Sequence, residues 1–144
     1  MTTDTRSFRL EDYPFRTADT IRYGDTDRQG HVNNAAFATF CETGRVAFLF
    51  PAEQPLASPG TSFVIARLLL DFLAEITWPG TVDIGTRVTK VGRSSFTLAQ
   101  GLFQKGRCVA TAESVVVLVD DATRKSTPLP AKILAALEGA TLRQ

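Results

Sequence analysis

Residues 22–45, RYGDTDRQGHVNNAAFATFCETGR, change character midway, and that change decides how the rest of the chain reads. The first part, Gly24-Asp25-Thr26-Asp27-Arg28-Gln29-Gly30, is dense in turn formers. Asn33 and Asn34 follow, both good helix N-cap types. Beyond them, Phe37, Phe40, Cys41, Gly44, Ala47 and Phe48 are apolar or small at the i, i+3, i+4, i+7 spacing of one buried helix face. Thr39, Glu42, Thr43 and Arg45 fall mainly on other faces, and Glu42 and Arg45 stand at the spacing of an ordinary ion pair. Gly44 costs a helix about 1 kcal/mol, so its place on the buried face points to a close approach to a sheet. Pro51 stops the helix.

Upstream, FRTADTIRYG (15–24) suits a strand with Ile21 and Tyr23 on one face, Tyr23 going to the core or an interface. Residues 1–13 are polar and mixed in charge, the composition of a loose arm. Downstream, PAEQPLASPG (51–60) is a proline-rich loop, after which the apolar period becomes two. SFVIARLLLDFLAEI (62–76) is apolar on both faces, as in a strand covered on both sides. TVDIGTRVTKV (81–91) alternates, Gly92-Arg93-Ser94 is a turn, and FTLAQGLFQ (96–104), Lys105-Gly106 and RCVATAESVVVLVD (107–120) read as a hairpin. AKILAALEG (131–139) is a short helix after Pro128 and Pro130. The class is α+β: a five-stranded antiparallel sheet, one long helix and a short C-terminal helix. One helix covers one sheet face, so the remaining apolar surface predicts a homo-oligomer.

Composition removes several function classes. The 144 residues make one domain, with 44% hydrophobic and 22% charged residues, the balance of a globular chain. The net charge of +1 leaves no basic excess for nucleic acid. No apolar run reaches the length of a membrane span, and the N-terminus lacks a signal-peptide pattern, so the expected compartment is the cytoplasm. Cys41 and Cys108 lie in apolar stretches and read as buried packing residues. With His31 the single histidine, no metal site is expected. There is no GxSxG elbow and no GxGxxG. Residues 101–106 run from glycine to glycine like a phosphate loop, but lack its Lys-Ser/Thr ending and lead into no helix.

Chemistry concentrates where the turn meets the helix. A helix start carries unpaired N–H groups and a positive partial charge, which can polarise a carbonyl. A carboxylate folded back towards it could attack the carbonyl carbon or activate water. From the residues alone, a catalytic carboxylate and ordinary loop and capping chemistry both fit. His31 reads as a hydrogen-bonded loop residue or one near a bound ligand, Phe37 and Phe40 as core or as the lining of a pocket, and Arg124-Lys125 as an exposed basic pair.

The run G-D-x-D-x-x-G-H-V-N-N followed by a helix resembles the opening of hot-dog-fold acyl-CoA thioesterases of the 4-hydroxybenzoyl-CoA thioesterase-like family. Pro79-Gly80, KVGRSSFTL and the valine-rich last strand are similar too. The resemblance implies a sheet wrapped around the helix, with subunits joined into a ten-stranded sheet as a homodimer or homotetramer. It implies hydrolysis of a thioester on CoA or on acyl carrier protein, with CoA part of the substrate and no separate cofactor. Asp27 would be nucleophile or general base, the backbone N–H of Asn34 would polarise the carbonyl, and Asp25 would be structural. Arg93, assisted by Ser94 and Ser95, would bind CoA phosphate groups. The other readings of such a domain are an acyl-CoA-binding module without turnover and an enoyl-CoA hydratase-type hot dog.

Overall fold

The computed structural model describes residues 8–141. Five strands, β1 (Phe15–Thr20), β2 (Thr61–Phe72), β3 (Thr81–Val91), β4 (Ser95–Gln104) and β5 (Arg107–Asp120), form one antiparallel sheet in the order β1-β3-β4-β5-β2. Helix α1 (Asn34–Leu49) lies across one face, and α2 (Ala131–Gly139) closes one end. Among the described residues, no helix is long and apolar enough to cross a membrane.

The period-two pattern sorts the sheet. Val82, Ile84 and Val88 of β3, Phe96, Leu98 and Leu102 of β4, and Val116 and Leu118 of β5 are all buried, as are Phe37, Phe40, Cys41, Phe48 and Leu49 of α1. Each buried Phe contributes about 2–3 kcal/mol before entropy is counted. The core divides along the helix. Phe37 and Phe40 pack with Ile76, Val82 and Leu102 near the helix start, and Phe48 and Leu49 pack with Val88, Phe96 and Ile133 near its end.

Gly44 sits against the sheet, as its place in the pattern predicts. A Cβ there would stand 2.5 Å from Ile84 Cγ2 and 2.7 Å from Gln100 Nε2. The Gln100 amide donates to the Cys41 carbonyl (3.0 Å) and to Thr86 Oγ1 (3.1 Å), tying the helix backbone to the sheet. The same rotation carries Arg45 inside. It is buried, its Nη1 has no hydrogen-bond partner, and burial pulls its pKa down. The expected Glu42–Arg45 ion pair therefore does not form: Glu42 stays on the solvent face while the guanidinium turns inward.

Two strands are shorter than their sequence patterns. β1 ends at Thr20 instead of continuing to Gly24, because Arg22 turns the chain. Its N–H donates to Asp25 Oδ2 at 2.9 Å and its guanidinium pairs with the same carboxylate, winding Tyr23–Asp25 into a 3-10 turn. Asp25 is thus structural. Tyr23 shares no strand face with Ile21 and is not core: it is 73% exposed, its ring edge-on to Trp78. β2 ends at Phe72, where Leu73 and Ala74 both donate to the Val109 carbonyl. β2 is an edge strand, and Ile65, Leu68, Leu69 and Phe72 are exposed rather than covered. On the outer sheet face, residues 8–13 of the expected loose arm lie docked, with Tyr13 buried so closely over Gly85 that a Cβ there would meet its ring at 2.5 Å. Residues 1–7 lie outside the described residues.

Gly44→Ala should destabilise the protein by about 1–2 kcal/mol in urea unfolding, because overpacking against Ile84 and Gln100 costs about 2–3 kcal/mol and helix propensity returns only about 1 kcal/mol. Cys41 and Cys108 are buried free thiols whose pKa values burial pushes up to about 11. Neither should react with a disulfide reagent at about pH 8 until the protein unfolds, since the thiolate is the reactive form.

Candidate active site

The link between β1 and α1 is a small folded loop. Thr26 pairs with Val32, Gly30 takes the positive φ (80°) of its turn, and the Asp27 N–H donates to the His31 carbonyl at 2.8 Å. The loop is stapled to the segment after β2. Val32 N–H donates to the Ile76 carbonyl (2.8 Å), His31 bridges Thr77, and Asn33 N–H donates to the Asp25 carbonyl (2.8 Å). Thr77 is itself held by Gln104 of β4, whose side-chain amide accepts from the Thr77 N–H (3.1 Å) and donates to its carbonyl (2.7 Å).

Inside this frame, Asp27 Oδ1 accepts hydrogen bonds from the backbone N–H groups of Gln29 (2.8 Å) and His31 (3.1 Å). These donors orient the carboxylate and leave Oδ2 without a donor among the described residues. At the helix start, Asn33 is the N-cap. Its Oδ1 accepts from Ala35 N–H (2.9 Å) and its carbonyl accepts from Ala36 N–H (2.9 Å). No acceptor among the described residues takes the Asn34 N–H, an orphan donor at the positive end of the helix.

Asp27 and Asn34 line one open cleft of about 350 Å³. Gln29, His31 and Glu75 make up its polar side, and Phe37, Phe72 and Leu73 its apolar side. Phe37 is core at its back and meets the exposed Phe72 edge-on at 5.0 Å, while Phe40 is entirely core. His31 is engaged as expected of a loop residue, and its partner is Glu75, Nε2 to Oε2 3.1 Å. Sequence patterning missed Glu75, Gln104 and Phe72, because all three sit inside periodic strand runs with no motif to mark them. Among the described residues, no cluster of three or more His, Cys, Asp and Glu side chains could hold a metal ion.

Arg93, Ser94 and Ser95 lie elsewhere. They form the β3–β4 turn, whose carbonyls accept from Leu129, Leu118 and Gly92, respectively. The cleft is at the opposite end of the sheet, where Thr20 pairs with Thr81. The eleven residues of β3 put the two ends roughly 30 Å apart. A single chain thus brings Asp27 and Asn34 together and leaves Arg93–Ser95 remote.

The sequence pattern of the thioesterase-like superfamily matches residues 21–137, from the start of this loop through most of α2. The chain belongs to this family. The hot-dog fold expected of it is the fold observed, a sheet curved around α1. Among curated thioesterase-like proteins, the acyl-CoA thioester hydrolase YbgC of Escherichia coli O6:H1 is 27% identical over 125 residues, covering 84% of this chain and 93% of the relative. The 1,4-dihydroxy-2-naphthoyl-CoA hydrolase of Synechococcus elongatus is 26% identical over 129 residues, covering 86% and 93%. A Thermus thermophilus thioesterase, solved with coenzyme A and zinc, superposes with a TM-score of 0.79 at 29% identity, covering 93% of this chain and 98% of that one.

The cap makes the helix start sensitive to one side chain. Asn33→Ala should lower stability by about 1 kcal/mol in chemical denaturation, and Asn33→Asp should restore it.

Proposed function

We propose that this thioesterase-like protein hydrolyses an acyl thioester, on CoA or on the phosphopantetheine arm of acyl carrier protein, to a free carboxylic acid and a thiol. The observation that carries the reading is the shared cleft: an oriented carboxylate at Asp27 and an unclaimed N–H at Asn34 line the same walls. The names of the curated relatives, both CoA thioester hydrolases, support the substrate class.

In this reading the substrate carbonyl oxygen takes the Asn34 N–H, and the helix dipole stabilises the negative charge that develops there. One such donor is worth about 2.7–4 kcal/mol at a transition state. Asp27 then acts by one of two balanced routes. As nucleophile, a carboxylate oxygen attacks the carbonyl carbon, the C–S bond breaks, the thiolate takes up a proton, and water opens the resulting anhydride. As general base, it takes a proton from water, whose oxygen attacks, and the same C–S bond breaks. The free Oδ2 serves either route, while Oδ1 stays anchored to the loop.

The assembly is part of the proposal. β2 offers an unpaired edge with exposed Ile65, Leu68, Leu69 and Phe72, and antiparallel pairing of two such edges would give a dimer with a ten-stranded sheet. That pairing would bring the end of the partner sheet that carries its β3–β4 turn to the end of this sheet that carries the cleft. Arg93, Ser94 and Ser95 would serve CoA phosphates across subunits in this way.

Asp27→Asn keeps an oxygen for the Gln29 and His31 N–H groups and removes the charge. It should retain its thermal unfolding profile and lose at least ~10²-fold in turnover, read as free thiol released from a panel of short, long and aromatic acyl-CoAs. Asn34→Ala preserves the backbone donor and should change turnover by only a few-fold. Undiminished thiol release by Asp27→Asn would sink the assignment, and tight acyl-CoA binding without thiol release by the wild type would make the protein a binding module.

A further inference from the structure

A second, larger cleft adjoins the Asp27 cleft. It has a volume of about 550 Å³ and shares Ala74 and Glu75 with its neighbour. Its far wall is the β4–β5 hairpin, which contributes Lys105 and Arg107, and its floor includes the bonded pair Thr77–Gln104. We infer that Lys105 and Arg107 form a phosphate contact within the same chain, additional to the Arg93–Ser95 turn that a second copy would bring, for the phosphorylated end of a CoA-type thiol whose thioester lies in the Asp27 cleft. The inference rests on the thioesterase reading above and names the residues that would hold the carrier.

Three features support it. The first is adjacency: the two clefts lie side by side and share Ala74 and Glu75 in their linings. The second is charge. Lys105 and Arg107 are exposed and form no ion pair with a described residue, so two cations stand in the cleft lining against one carboxylate, Glu75. The third is rigidity. Gln104 pairs with Arg107 across a two-residue turn, Lys105-Gly106, with φ of 53° and 79°. Turns with positive φ at both positions are ordinarily filled by Asn, Asp or Gly, so lysine here puts a cation on a fixed hairpin tip. The guanidinium fork of Arg107 can grip two phosphate oxygens, and the Lys105 ammonium can add a point charge. Residues 101–106 are thus no phosphate loop in the nucleotide-binding sense, yet they lead into a hairpin that presents two cations to one cleft.

The test compares wild type with the double variant Lys105→Asn/Arg107→Gln, which suits the turn and the strand while removing both charges. Binding of free CoA and of pantetheine is measured by calorimetry, and thiol release is measured from hexanoyl-CoA and hexanoyl-pantetheine. The expected result is CoA binding weaker by about tenfold, a matching rise in KM for hexanoyl-CoA, and unchanged kcat and unchanged values for the phosphate-free compounds. The wild-type preference for CoA over pantetheine should also shrink as salt is raised. Equal CoA affinity in wild type and double variant would overturn the site, and so would equal losses for CoA and pantetheine. If wild type binds CoA in this charge-dependent way but releases no thiol from any thioester, the hydrolase reading fails and the phosphate site stands.

Discussion

The depth at which α1 sits in the sheet governs the rest of the molecule. Gly44 lets the helix backbone down onto Ile84 and Gln100, and the Gln100 amide fastens it there through the Cys41 carbonyl. A helix is a rigid rod of about 1.5 Å rise per residue, so fixing its middle fixes its tip. Ten residues upstream of Gly44, that tip is where Asn34 presents its N–H, and the loop that carries Asp27 closes over it. The buried Phe37, Phe40 and Phe48 supply the free energy, while the glycine sets the geometry.

The period of the apolar residues is what made the elements legible. The helix over residues 34–49, the proline stop at Pro51, the hairpin at Lys105-Gly106 and the short last helix all follow from local pattern and turn chemistry. The loop carboxylates and the cap asparagines stood out because polar residues crowded at the junction of two elements. What local pattern could not carry was depth and distance. Arg45 reads as a surface residue by its charge, but the helix rotation that seats Gly44 takes Arg45 in with it. Ile21 and Tyr23 alternate as in a strand, but β1 ends at Thr20, before both, and the Arg22–Asp25 bond winds Tyr23 into a 3-10 turn. Arg93 lies in a plausible turn, and only strand order places that turn at the far end of the sheet from Asp27. Glu75 and Gln104 acquire meaning through partners in other segments, His31 and Thr77, which no spacing rule connects.

The distribution of charge around the cleft follows from the same frame. The net charge of +1 conceals a local order: carboxylates Asp25, Asp27 and Glu75 each have a partner in the loop or beside it, while the hairpin cations have none among the described residues. Backbone N–H groups, rather than cationic side chains, hold Asp27. A carboxylate held this way is oriented without having its charge cancelled by a fixed cation, the condition a nucleophile or base requires.

The two rims of the sheet are unequal. β2 offers twelve residues of open hydrogen-bonding edge, and β1 at the other rim only six, directly after Pro14, which has no N–H to donate. Like-with-like joining of the long rims is self-complementary and ends after one copy is added, whereas long-to-short joining would leave half of each long rim bare and could repeat without limit. In the proposed dimer, that mismatch would favour a closed pair over a growing fibre, through strand length rather than through any single side chain.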